Sequence, residues 1–236
     1  MNVLAVVHGA NAGAGVFGET VKAAGHRLEE WSLAWGTPPP RPVDDYSAVL
    51  VFGGSMHADQ DDRHPWLTEE KLFIQGLVRS GVPLFGVCLG VQLIANAGGA
   101  AVYPVLDGPE IGWVPVELTE TAKADPVFGR LPSSFHAFEW HYYTYNLPAG
   151  ADGLAQSTRC NQAFRLGEAA WGIQFHAEVT LATVQRWLAD HEDLPPGLDP
   201  ERLLNETEER IGEWNRLGRE LCSRFLEVAE RAAVAA

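Results

Sequence analysis

The sequence has no run approaching the roughly 20 apolar residues of a membrane-spanning helix, and no membrane partner is expected. Cysteine is scarce: Cys88, Cys160 and Cys222 are odd in number, far apart and never in a CxxC pair. That argues against a disulfide framework or a zinc ribbon, and for a reducing cytoplasm. Basic residues are also few, 17 against 31 acids, for a net charge of −14. Such a surface repels phosphate backbones, so nucleic acid is not expected as a partner. The opening MNVLAVVHG lacks a basic leader and is expected to be a core strand rather than a signal peptide. The nucleotide loop pattern GxxxxGK[ST] does not occur, nor does any internal repeat.

What the chain does have is 236 residues, 46% of them hydrophobic, enough for one α/β core or a core with an appendage. Through the first hundred residues, short apolar runs alternate with helical spacing. Strands are expected at 2–8, 27–33, 47–54 and 83–87, and helices at 16–25, 65–80 and 89–98. Pro65 suits the first turn of its helix, and Gly81 falls just past the end. This alternation predicts an open, mostly parallel sheet with helices on both faces. The middle changes to short runs at 113–118, 135–141, 153–157, 163–166 and 171–176, separated by turn residues, which predicts a small antiparallel region. Helix returns at 181–191, followed by the linker 193–200. Residues 201–232 are amphipathic, with Leu203, Ile211, Trp214, Leu221 and Phe225 along one side, and read as a helical hairpin or one long helix. A division into 1–192 and a helical extension at 193–236, packed on the core, is expected.

The sharpest local signal is GVCLG. A residue between a central strand and a following helix must turn abruptly, exposing its side chain at the carboxyl edge where open α/β sheets bind ligands. Gly86 and Gly90 remove the side chains that would obstruct so tight a turn. Cys88 would sit at a helix N-terminus, where free N–H groups and the helix dipole favour thiolate. A thiolate nucleophile needs an oriented proton carrier. Of 8 histidines, only His176 ends an apolar run with a carboxylate two residues on, in QFHAE. On strand alternation, Glu178 would share its side and hold the ring.

GVCLGVQ, GGSM (53–56) and QFHAE, in that order, resemble the class I, triad-type glutamine amidotransferases over about residues 1–190. Stretches such as EIGW (110–113), EWH (139–141) and NQAFR (161–165) are similar to stand-alone members akin to the glutaminase domain of GMP synthase. The resemblance implies a flavodoxin-like fold and a Cys88–His176–Glu178 triad that hydrolyses the glutamine side-chain amide through a thioester. It implies substrate contacts from Gln92, the backbone after Trp140, and the neighbouring His141 and Tyr142. Backbone N–H groups of Gly54 and Leu89 would receive the oxyanion, with glycine at 53 and 54 allowing close approach and positive φ. L-glutamine or a γ-glutamyl amide is the implied substrate, with a separate synthetase chain as ammonia acceptor. No cofactor and no metal is expected, and the oligomeric state is open.

Two departures from the family pattern stand out: Ala177 replaces a common proline, and WHYY (140–143) stands where WHGD is frequent. Tyr142 and Tyr143 put aromatics where substrate binds, which keeps a partner-independent γ-glutamyl peptide or amide hydrolase in play. A non-catalytic regulatory protein on the same scaffold is the third reading. GAGVFG (13–18) matches a dinucleotide fingerprint in letters only, and is read instead as a connection into the first helix that borders the site. HADQDDRH (57–64) fits no familiar metal-ligand spacing and is read as an acidic loop before a helix. Cys160 and Cys222 are read as incidental.

Overall fold

A computed structural model describes residues 1–9, 11–190 and 194–235. In chain order the elements begin β1 (Asn2–Val6), α1 (Gly15–Ala23), β2 (Arg27–Trp31), β3 (Ala48–Val51), α2 (Trp66–Ser80), β4 (Leu84–Val87) and α3 (Leu89–Ala97). The middle contains β5 (Val102–Pro104), β6 (Glu110–Leu118), β7 (Ser134–His141), β8 (Tyr143–Tyr145), β9 (Ala151–Gln156), β10 (Asn161–Leu166) and β11 (Ala170–Ile173). Helices α4 (Leu181–Asp190) and α5 (Pro200–Ala235) follow.

Among the described residues, nine strands form one sheet in the order β2-β1-β3-β4-β11-β10-β9-β6-β7. The first five are parallel, and β10, β9, β6 and β7 continue the same sheet antiparallel. A separate β5–β8 ribbon, absent from the sequence reading, pairs Val102–Pro104 with Tyr143–Tyr145.

Strand alternation divides the core between the two faces. Val3, Ala5, Leu50 and Phe85 pack with Phe17 of α1 and Leu221 and Phe225 of α5. Leu4, Val6, Val49, Val51 and Leu84 pack with Leu67, Ile74 and Leu77 of α2 and Val91, Leu93 and Ile94 of α3. Helices therefore cover both faces of the parallel half.

The strands are shorter than expected at the site edge. The first stops at Val6 and the third at Val51, so His8, Gly53 and Gly54 lie in loops beyond their strands. The run at 171–176 is strand only to Ile173, and His176 and Glu178 occupy the turn that follows. Residues 200–235 form one continuous helix rather than a hairpin, as their unbroken apolar stripe allows. Residues 191–193, the last position assigned to the 181–191 helix and the start of the linker, lie outside the described residues. So does the expected boundary at 192–193. No described helix is long and apolar enough to cross a membrane.

Candidate active site

Cys88 has φ 53° and ψ −106°, a left-handed backbone for a residue with a side chain. Such conformations cost about 1–3 kcal/mol and persist where the surrounding structure enforces them. Enforcement is visible on both sides. A Cβ on Gly86 would lie 2.6 Å from the Gly90 carbonyl carbon, and one on Gly90 would run into the Val51 carbonyl oxygen. The two glycines let α3 leave β4 pressed against β3, and Cys88 projects at the sheet's carboxyl edge.

Registry brings the distant histidine here. β4 and β11 are parallel neighbours with Val87 opposite Ile173, and the Cys88 amide donates to the Ile173 carbonyl at 2.9 Å. Both chains leave the sheet at one point, so residues 88 and 176 share a cleft. His176 Nδ1 bonds Glu178 Oε1 at 2.7 Å. This contact forms within a turn, not through strand alternation. Burial works against a charged His176 ring, but the Glu178 carboxylate and the Cys88 sulfur outweigh it and raise its pKa well above the ordinary value. The edge of Trp187 packs on the same ring with centroids 4.9 Å apart.

The turn carrying His176 and Glu178 is clamped by its backbone. Trp214 Nε1 of α5 donates to the His176 carbonyl at 2.8 Å, and Asn215 Nδ2 donates to the Val179 carbonyl at 2.8 Å. From the other side, the Val16 amide donates to the Glu178 carbonyl at 2.8 Å. Gly15, at φ 45°, leaves space for that oxygen, which a Cβ would strike. The glycine-rich 13–18 segment thus seats the Glu178 turn and opens α1.

Cys88, His176 and Glu178 line a cleft of 680 Å³ together with Gly54, Leu89, Gln92, Trp140, His141 and Tyr142, the residues expected from sequence as triad, oxyanion and substrate contacts. Their engagements differ. Gln92 Nε2 is committed to the Tyr143 carbonyl at 3.0 Å and Gln174 Oε1 at 3.1 Å. The Trp140 carbonyl lies 3.9 Å from Cys88 Sγ. Tyr143 stacks on His57 with centroids 4.0 Å apart, so the second tyrosine is held against the acidic loop, and burial lowers the His57 pKa. In that loop, Asp61 is paired with Lys71 Nζ at 2.6 Å. Gly53 and Gly54 permit close approach, since a Cβ on Gly53 would lie 3.1 Å from His176 Cε1. Neither takes the expected positive φ.

His141 has both ring nitrogens engaged by protein. Nδ1 bonds the Tyr143 carbonyl at 2.9 Å and Nε2 bonds Glu110 Oε2 at 3.1 Å. Glu139 Oε2 is 3.2 Å from Nε2 but lacks hydrogen-bond alignment, leaving both Glu139 oxygens buried without a bond. Burial alone would lower the His141 pKa, yet the two glutamates raise it to about 9. Burial also raises the Glu139 pKa. Glu110, His141 and Cys160 bring three potential metal-ligand atoms within 4.8 Å of one another. Glu110 is nevertheless already bonded to Ser157 at 2.9 Å and Gln162 at 2.9 Å as well as to His141, and the group reads as a hydrogen-bonded hub. Cys160 is part of it, and burial pushes its thiol up to about 12.

Sequence reasoning missed this hub, whose members come from four strands and loops. It also missed His8 and Glu70: His8 Nδ1 bonds the Gly53 carbonyl at 3.1 Å and Nε2 bonds Glu70 at 2.9 Å. One signal was available for His8, its place just beyond the first strand at the edge where ligands bind.

Comparison with known proteins agrees with this architecture. Residues 21–191 match the family model "Glutamine amidotransferase class-I". A glutamine amidotransferase-like protein of Salmonella typhimurium, YfeJ, is 30% identical over 190 residues, covering 78% of this chain and 79% of that protein. A gamma-glutamyl-L-1-hydroxyisopropylamide hydrolase of a Pseudomonas species is 30% identical over 147 residues, 59% of this chain and 49% of the hydrolase, about half its length. The crystal structure of a glutamine amidotransferase from Thermotoga maritima superposes with a TM-score of 0.88 at 31% identity, covering 96% of this chain and 98% of that one. A cysteine at a strained strand–helix turn and a carboxylate-bound histidine share the cleft of a fold that this family also adopts, and the chain belongs to the class I glutamine amidotransferases.

Proposed function

We propose that the protein hydrolyses the side-chain amide of L-glutamine, releasing glutamate and ammonia. The observation that carries this reading is the convergence of Cys88, in its left-handed turn, with the His176–Glu178 pair in one open cleft. Cys88 Sγ, as thiolate, attacks the γ-carboxamide carbon, and the carbonyl oxygen takes up the negative charge. The Leu89 N–H, first in α3 and without an intrahelical acceptor, and the Gly54 N–H receive that oxyanion. His176 donates a proton to the departing nitrogen, giving ammonia and a γ-glutamyl thioester. It then takes a proton from water, whose oxygen attacks the thioester, and the thiolate leaves as glutamate forms. Glu178 holds the ring and stabilises its charged form throughout. The Gln92 amide steadies the Tyr143 carbonyl and through it the wall of the cleft. The ammonia released would be taken up by a separate synthetase chain.

A second reading is favoured by the cleft itself. Its 680 Å³ falls in the range of about 300–1,000 Å³ that holds drug-sized ligands, more than a free amino acid needs. Two aromatic groups line it, His57 with Tyr142 and Tyr143, and Trp140 with Trp187. On this reading the same chemistry cleaves γ-glutamyl amides of larger amines without a partner. A panel of glutamine and γ-glutamyl amides at equal concentration decides between the two. Glutamine with the highest kcat/KM supports the first, a larger amide the second. No release of any amine or ammonia, with Cys88→Ala indistinguishable from the wild type, would remove both.

A further inference from the structure

Strand order places three loops side by side at the carboxyl edge of the sheet. β3 lies between β1 and β4, so Gly53 and Gly54, beyond β3, lie between His8, beyond β1, and Cys88, beyond β4. His8 Nδ1 bonds the Gly53 carbonyl at 3.1 Å, and Nε2 lies 2.9 and 3.1 Å from the two oxygens of Glu70. Both side chains are fully buried, and the imidazole stacks on Trp66 with ring centroids 5.7 Å apart. A peptide carbonyl only accepts, and so does a carboxylate while it is ionised, so the two contacts are made together when both ring nitrogens carry protons. In that form His8 is an imidazolium spanning α2 and the glycine loop.

A trans peptide is planar, with its C=O and N–H pointing in opposite directions. There are no cis peptide bonds among the described residues. With the Gly53 oxygen turned toward His8, the N–H of Gly54 points to the opposite side, away from the imidazole. That N–H makes no backbone hydrogen bond among the described residues. Glycines have little steric preference between the two orientations of such a peptide, so something outside the loop must choose one.

We propose that His8 and Glu70 are positioning residues for the oxyanion site: their buried pair holds the Gly53–Gly54 peptide with its N–H facing the reacting carbonyl. This rests on the hydrolase reading above. Without the pair, the peptide can turn over and present an oxygen to the oxyanion, replacing attraction by repulsion. Glu70 acts through His8, and His8 through the peptide, and neither touches substrate. The direction of the His8 pKa, raised by Glu70 against the lowering effect of burial, agrees with a doubly protonated ring.

The test is Glu70→Gln, which keeps shape and removes the charge. The expected kcat for γ-glutamyl amide hydrolysis falls about 100-fold, the loss typical of an oxyanion donor, with KM within roughly threefold. Alkylation of Cys88 by iodoacetamide, a displacement that develops no oxyanion, should keep its wild-type rate. Glu70→Asp, which restores the charge, should recover part of kcat. A crystal structure of Glu70→Gln should show the Gly53–Gly54 peptide rotated from its wild-type orientation. If Glu70→Gln does not fold, the apolar pair His8→Phe with Glu70→Leu carries the same measurements and the same expectations. An unrotated peptide with kcat near wild type overturns the proposal, as does a fall in alkylation rate that matches the fall in kcat. Should the wild type hydrolyse no γ-glutamyl amide, the hydrolase reading fails, and the crystallographic comparison alone decides whether the pair orients the peptide.

Discussion

Trp214, near the middle of α5, donates its indole N–H to the backbone carbonyl of His176 across 2.8 Å. The C-terminal helix therefore sets the position of the imidazole, and Gly218 lets it approach so closely that a Cβ there would strike the Ala177 oxygen. Trp214→Phe removes the donor and leaves a buried carbonyl unpaired, an expected loss of about 2 kcal/mol in urea unfolding. Because the His176 turn is loosened, kcat should fall with it. Unchanged stability and unchanged kcat would separate α5 from the site.

Gly90 is the second structural test. Its missing side chain is what allows α3 to cross β3 at the Val51 carbonyl. Gly90→Ala is expected to cost about 3 kcal/mol, because both contacting groups are backbone and cannot repack. A denaturation midpoint within error of the wild type would refute this account of the turn.

The three thiols should differ sharply in reactivity. Burial pushes Cys160 up to about 12 and Cys222 higher still, so both are neutral thiols near pH 7. Cys88 lines the cleft beside an imidazole held in its charged form. At about pH 7.5, iodoacetamide followed by peptide mass mapping should modify Cys88 at least about 100-fold faster than the others. Equal rates would favour a non-catalytic scaffold.

Stability should decline on the alkaline side. Glu110 and Glu139 raise the buried His141 from its ordinary 6.5 to about 9. A raised folded-state pKa means that this stabilisation is complete below about 6.5 and is lost as pH rises through about 9. The shift corresponds to roughly 3 kcal/mol, and His8 and His176, also raised, act in the same direction. Melting temperatures should fall between about pH 6.5 and 9.5; a flat profile would contradict the charged hub.

How much was readable beforehand depended on whether the cause was local. Gly86 announces a tight turn because its steric requirement, against Gly90, acts within four residues, whereas the contact that demands glycine at 90 is with distant Val51; the HAE spacing survived although its strand premise did not. The apolar stripe of 201–232 revealed a helix but not whether it was broken, and the structure joins it into one. The β5–β8 ribbon, the Glu110–Glu139–His141–Cys160 hub and the His8–Glu70 pair were invisible because each depends on registry between segments far apart in sequence. Isolated glutamates and histidines carry no mark of the partner that the fold will supply.

The most direct measurement of the central claim is intact-protein mass spectrometry after acid quench during turnover of a γ-glutamyl amide. The account predicts a γ-glutamyl adduct in the wild type, mapped to Cys88 and absent in Cys88→Ser. Hydrolysis that proceeds undiminished in Cys88→Ser, with no adduct on any thiol, would contradict it.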